Sequence, residues 1–136
     1  MKKALFTVSF LLTVVLLSGQ TTVQTQAETA LTDLSTYVKL DKAQEAAILD
    51  IFVKKYQGVE EIQALKATNQ EQYLQKRSIL SEMAYVELRK TLKENQQAGY
   101  SDWTKARGKQ KTDLHKQLSK DGVSASDIRV RMVELD

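Results

Sequence analysis

The chain has 136 residues, no cysteine, no proline, 27% charged residues and a formal charge of +3. Its length limits it to one domain with a modest core, and the lack of cysteine excludes a disulfide framework and a cysteine-linked lipid anchor. Two of its cations, Lys2 and Lys3, lie in a segment that reads as a removable leader; without them the charge falls from +3 to +1, which takes away the main support for nucleic-acid binding.

That leader opens with Lys2 and Lys3, continues uncharged from Leu5 to Leu17 and turns polar at Ser18, Gly19 and Gln20. A basic start, an apolar run too short to span a bilayer and a small-residue exit predict a secretory signal peptide over residues 1–19. Cleavage after Gly19 suits the distance from the apolar run, whereas Thr25-Gln26-Ala27 offers the better small residues, so both sites stay open. The expected product is an exported protein with no stable membrane anchor. Its single all-helical domain occupies residues 28–136, because glycines are few and no strand-like alternation of useful length occurs.

Glu28 to Tyr37 is expected to form a short leading helix, with Leu31, Leu34 and Val38 spaced for one face. Asp41 then begins the main helix. Its carboxylate is placed to accept a first-turn N–H and Gln44 to reach back, a capping box. Ile48, Ile51, Phe52, Val59 and Ile62 fall on one side at helical spacing, and the pattern predicts continuation past Gly58 into the Leu65 to Asn69 region. The next helix, about Gln70 to Leu92, carries Tyr73, Leu80, Ala84 and Leu88 on one side. Leu74, Tyr85 and Leu92 lie on a second side, and Ile79 with Val86 on a third. A helix apolar on several sides must be covered on several sides, so it is either central or shared with a second copy of the chain.

The last long helix starts between Asn95 and Tyr100 and runs to about Lys120, with Tyr100, Trp103, Leu114 and Leu118 on an inner face interrupted by Arg107, Gln110 and Lys111. Gly122 is placed to stop it. Ser124 caps a short final helix with Asp127 at the capping-box position and Val123 and Ile128 as a hydrophobic staple. The expected fold is all-α, an elongated antiparallel hairpin or bundle of four to five helices.

Chemistry is hard to place on this chain. His115 is the only histidine, and with no cysteine no set of three or four metal ligands at compatible spacing is offered, so neither a metal site nor a cofactor is expected. No strained nucleophile turn, converging carboxylate pair or phosphate-binding glycine loop occurs, and an enzyme is not expected. Charge is uneven: residues 28–61 carry seven acidic and four basic side chains, and residues 101–120 six basic and two acidic. The aromatic residues read as half-buried core edges, with Trp103 as the exception. Beside Lys105, Arg107, Lys109 and Lys111 it marks a mixed apolar and basic surface, for which Tyr100, Trp103, Lys105, Arg107 and Lys111 are the candidate partner-binding residues.

Two five-residue frames run from leucine to glutamine, Leu40-Asp41-Lys42-Ala43-Gln44 and Leu92-Lys93-Glu94-Asn95-Gln96. They resemble the paired Leu-Thr-x-x-Gln motifs of the Spy/CpxP-like (LTXXQ) periplasmic proteins. Aspartate keeps the capping chemistry of the missing threonine. Lysine, lacking an acceptor, does not, although Thr91 with Glu94 offers a shifted box. The resemblance implies a thin, curved homodimer, a helical cradle in the periplasm acting as an ATP-independent chaperone or envelope-stress modulator on unfolded or partner proteins. Two rival functions are a periplasmic metal-responsive sensor of related fold and a non-catalytic helical subunit of one stoichiometric partner.

Overall fold

The computed structural model describes residues 22–136; the predicted leader lies outside the described residues. Among these the fold is all helix and turn: α1 over 22–35, α2 Lys42–Ile62, α3 Leu65–Thr68, α4 Gln70–Thr91, a single 3-10 turn Glu94–Gln96, α5 Gln97–Lys120 and α6 Ala125–Glu134. Six helices thus stand where four to five were expected.

The leading helix is already formed at residue 22, ahead of the expected start at Glu28, and its additional turns are packed. Val23, Ala27, Ala30, Leu34 and Val38 all face the interior. The two alanines on that stripe let the neighbouring helices approach closely. Cleavage after Ala27 would therefore cut a residue with no exposed surface.

α2 starts as the sequence predicts. Asp41 Oδ1 accepts from the Gln44 N–H at 2.9 Å and Gln44 Oε1 from the Asp41 N–H at 3.1 Å, so both halves of the box are present. The helix does not run unbroken into the Leu65 to Asn69 region. It ends at Ile62, and Gln63 and Ala64 tighten into shorter-range bonds, Gln63 N–H to Glu60 O and Lys66 N–H to Gln63 O, before α3. Both residues keep right-handed helical angles; the reversal itself falls at Asn69, whose side chain accepts from Gln72 N–H to start α4.

α2 and α4 form an antiparallel hairpin, with the start of α2 beside the end of α4 and Gly58 crossing at Leu80. α5 returns along α1, Gly99 lying against Tyr37 and Trp103 against Asp33. The main core sits between these four helices: Ala27, Leu34, Ile48, Phe52, Leu88 and Trp103 are all buried there. A second, smaller cluster of Tyr73, Leu74 and Val130 joins α4 to α6, with Ile62 and Leu65 against it. α4 is thus the central helix, which answers for two of its apolar sectors.

The α5 to α6 corner follows its residues closely. Gly122 adopts φ +73°, the left-handed geometry that lets Val123 N–H reach Leu118 O and Gly122 N–H reach Ser119 O in a Schellman stop. Ser124 caps α6 by accepting from Asp127 N–H at 3.1 Å, but Asp127 does not complete a box. Its carboxylate takes the Ser124 hydroxyl at 2.7 Å. The shifted box of Thr91 with Glu94 is also absent, because the Thr91 hydroxyl bonds back to Glu87 O within α4.

Candidate functional site

The two leucine-to-glutamine frames, 52 residues apart, meet face to face. Gln44 Nε2 donates to Gln96 Oε1 at 2.8 Å, and Gln96 Nε2 donates to Gln44 Oε1 at 3.0 Å. Each amide also reaches the carbonyl just ahead of the other frame's leucine: Gln44 to Thr91 O and Gln96 to Lys39 O. Each glutamine oxygen accepts from the N–H of its own frame's second residue, Asp41 or Lys93. The arrangement has local two-fold character, and Lys93, unable to cap, puts its ammonium on Asp41 at 2.9 Å instead. That partner and, first, the Gln44 N–H hold the Asp41 carboxyl below its usual range. Leu92 is buried and Leu40 half-buried against the main core. These residues fasten the α1–α2 turn to the α4–α5 turn; Ser124 and Asp127 bond to each other, at the start of α6.

The candidate partner-binding residues are placed differently from expectation. Trp103 is 1% exposed, donates its indole N–H to Asp33 Oδ2 at 2.7 Å and packs edge-on against Tyr85, so its ring belongs to the core and not to a recognition surface. Burial wins because the indole's one polar atom has a partner inside. Tyr100 is half-buried beside it. Arg107 stacks over the Trp103 ring, pairs with Asp33 at 3.6 Å and donates to Leu135 O, while Lys111 pairs with Asp136. Only Lys105 remains at the surface, beside Asp102 at 3.5 Å. The basic stretch of α5 is thus largely engaged within the chain.

What engages it is the end of α6, which sits in a cradle of cations from three helices. Arg77 of α4 donates from Nε to Val133 O and from Nη2 to Glu134 O, both at 3.1 Å. Lys55 of α2 donates to Asp136 O, as does the Tyr85 hydroxyl at 3.2 Å. Arg107 and Lys111 of α5 close the far side. Lys55 is 3% exposed, with its ammonium near the faces of Tyr56 and Tyr85. Burial first, then the neighbouring Arg107, lower its pKa to about 7, with Asp136 opposing. Burial likewise pushes the Tyr85 hydroxyl up to about 12. Burial would raise Glu134 too, but hydrogen bonds from Lys66 and Tyr73 outweigh it and hold its pKa low.

Sequence reasoning missed Lys55 and Arg77. Their signal was present: Gln44, Ile48, Phe52, Lys55 and Val59 form the buried stripe of α2, and Tyr73, Arg77, Ser81, Ala84 and Leu88 that of α4. A cation at a core-facing register position marks a buried site.

Beside the cradle runs a groove of about 870 Å³ between α1, α5 and the end of α6. Gln26, Thr29 and Ala30 line one wall, Arg77 and Arg107 the other, and Leu135 lies at one end. Among the described residues no group of three or more histidine, cysteine, aspartate or glutamate side chains is placed to hold a metal ion, and no helix is long and apolar enough to cross a membrane. Comparison with protein-family models, with curated proteins and with solved structures finds no match to this chain.

Proposed function

We propose that this chain is an exported, periplasmic, ATP-independent chaperone or envelope-stress modulator of the Spy/CpxP-like kind. In this reading it holds unfolded or partner proteins without acting on them chemically and works as a homodimer. The observation that carries the reading is the open groove between α1 and α5. It is large enough for a peptide segment, and threonine, glutamine and alanine side chains line it together with Tyr56, Leu135 and two arginines that have Asp33 and Glu134 beside them. Such a lining suits chains of varied sequence, because amide and hydroxyl groups pair with any backbone while arginine stems cover apolar patches. The pairing of the two glutamine frames supports the family resemblance, since each frame stands at a helix start and each glutamine has a defined partner.

Suppression of aggregation of two unrelated unfolded proteins by the mature chain tests this reading. Gln26→Trp with Thr29→Trp, at exposed α1 positions on the groove wall, should fill the groove and abolish suppression while circular dichroism stays unchanged. Undiminished suppression would remove the groove from the account, and one stoichiometric partner on copurification would favour the subunit reading.

A further inference from the structure

The cradle turns four basic side chains toward one short helix end, more than helix capping asks for. Lys55, Arg77, Arg107 and Lys111 converge there from α2, α4 and α5. Were the end of α6 lifted away, Asp33 alone of the acids named above would remain beside them, paired with Arg107. Such a floor would strongly favour an acidic occupant. Meanwhile little apolar burial fixes α6. Of its ten residues only Ile128 and Val130 are buried, and the turn that leads into it contains a left-handed glycine, Gly122. A helix this short is marginal by itself, so its position depends on the polar contacts at its end and along its flank: Glu134 with Lys66, Arg129 with Glu71 and Ser126 with Gln70.

We propose that the floor formed by Lys55, Arg77, Arg107 and Lys111 is a binding site for an acidic peptide segment of another protein, and that α6 fills it in cis as a displaceable strap. The end of α6 shows what the floor recognises: a run of main-chain carbonyls from Val133 to Asp136 followed by a side-chain carboxylate. A client segment with the same pattern offers the same bonds, and the adjoining groove gives its continuation a path along α1. The proposal names the chemistry of the partner and to that extent rests on the protein-binding reading.

The probe is a fluorescently labelled synthetic peptide with the sequence of residues 125–136, titrated into the full mature chain by anisotropy at low salt. Ile128→Ala with Val130→Ala, which loosens the strap, should tighten peptide binding at least tenfold over the unaltered chain. A peptide with glutamine and asparagine in place of its glutamate and final aspartate should bind at least tenfold more weakly. On the loosened background Lys111→Gln, at a partly exposed site, should reverse the gain with helicity by circular dichroism unchanged, as should Arg107→Gln. Hydrogen exchange should show peptide stripping protection from α6 alone in the unaltered chain. Equal binding by loosened and unaltered chains, indifference to the peptide's acids, or undiminished binding by the Lys111→Gln protein would each overturn the proposal. So would binding that leaves α6 protected. Failure here alongside intact aggregation suppression sinks the cradle and leaves the groove; loss of suppression with the peptide result intact does the reverse.

Discussion

At the scale of single residues, two amides and one amine carry much of the physical interest. Gln44 is buried, and its amide satisfies three groups that would otherwise be short of partners, Asp41 N–H, Thr91 O and the Gln96 amide. Removing one side of a buried polar pair costs more than the bond contributes, because the other side stays desolvated. Gln44→Ala should therefore lower stability by about 1–3 kcal/mol. A double-mutant cycle with Gln96→Ala should give a coupling of about 0.5–3 kcal/mol in denaturant melts; additive effects would mean the amides act separately. Lys55 makes a different kind of prediction. In the unfolded chain it keeps its proton to about 10.5, whereas in the fold it gives it up near 7. Between those values the unfolded state binds more protons, so stability must rise with pH across that window. Below about 7 both states are protonated and the burial penalty is present in full. The groups that set this face it from every side: Arg107 and Lys111 on α5, Arg77 and Tyr85 on α4, Tyr56 on α2 and Asp136 beyond α6. Urea melts from pH 6.5 to 9.5 should show a gain on the order of a few kcal/mol, and Lys55→Met should flatten it. A flat profile in the unaltered chain would show that the ammonium is better solvated than its surroundings indicate.

At the scale of elements, glycine positions separate the contacts that matter from those that merely occur. A methyl on Gly99 would sit 2.3 Å from Tyr37 O, a backbone atom at the α1 to α2 turn that cannot swing aside. On Gly58 it would meet Leu80 Cδ2 at 2.7 Å, the mobile end of a side chain. Alanine favours a helix interior by roughly 0.5–1 kcal/mol over glycine, so the two substitutions should part company. Gly58→Ala should be close to neutral, whereas Gly99→Ala should cost about 1–3 kcal/mol through overpacking. Thermal melts of the two proteins check this, and equal melting temperatures would refute the close approach of α5 to that turn. The same elements show what was legible beforehand. Helix starts at Asp41 and Ser124 and the stop at Gly122 are local chemistry, carried by one or two side chains, and they stand in the structure where the sequence puts them. The Gln63–Ala64 break has no such signature, since both residues keep helical angles and only the inward pull of Ile62 and Leu65 marks it. Trp103 was misplaced for a related reason: its basic neighbours are contiguous in sequence, but its partner Asp33 lies 70 residues away. Sequence neighbours announce a surface; a partner on another helix decides burial.

At the scale of the whole molecule, the apolar accounting of α4 leaves one sector over. Tyr73 and Leu88 meet the two cores and Leu74 meets α6, while Ile79 and Met83, four residues apart on the remaining side, are 54% and 58% exposed. The homodimer proposed above would set a second copy of the chain here, where a two-fold axis across this face places each pair against its own image. The patch is small. A stable interface usually buries at least about 1,000 Å², which two side chains cannot supply, so association should be reversible and depend on the flanking polar surface of α4. Multi-angle light scattering of the mature chain should accordingly show a mass rising from monomer toward dimer between micromolar and hundred-micromolar concentrations. Ile79→Lys with Met83→Lys places four like charges at the axis and should hold the protein monomeric throughout, with helicity unchanged because both positions face solvent within one chain. A concentration-independent monomer in the unaltered protein would leave this face of α4 as ordinary surface, and an unchanged dimer in the lysine variant would move the interface elsewhere.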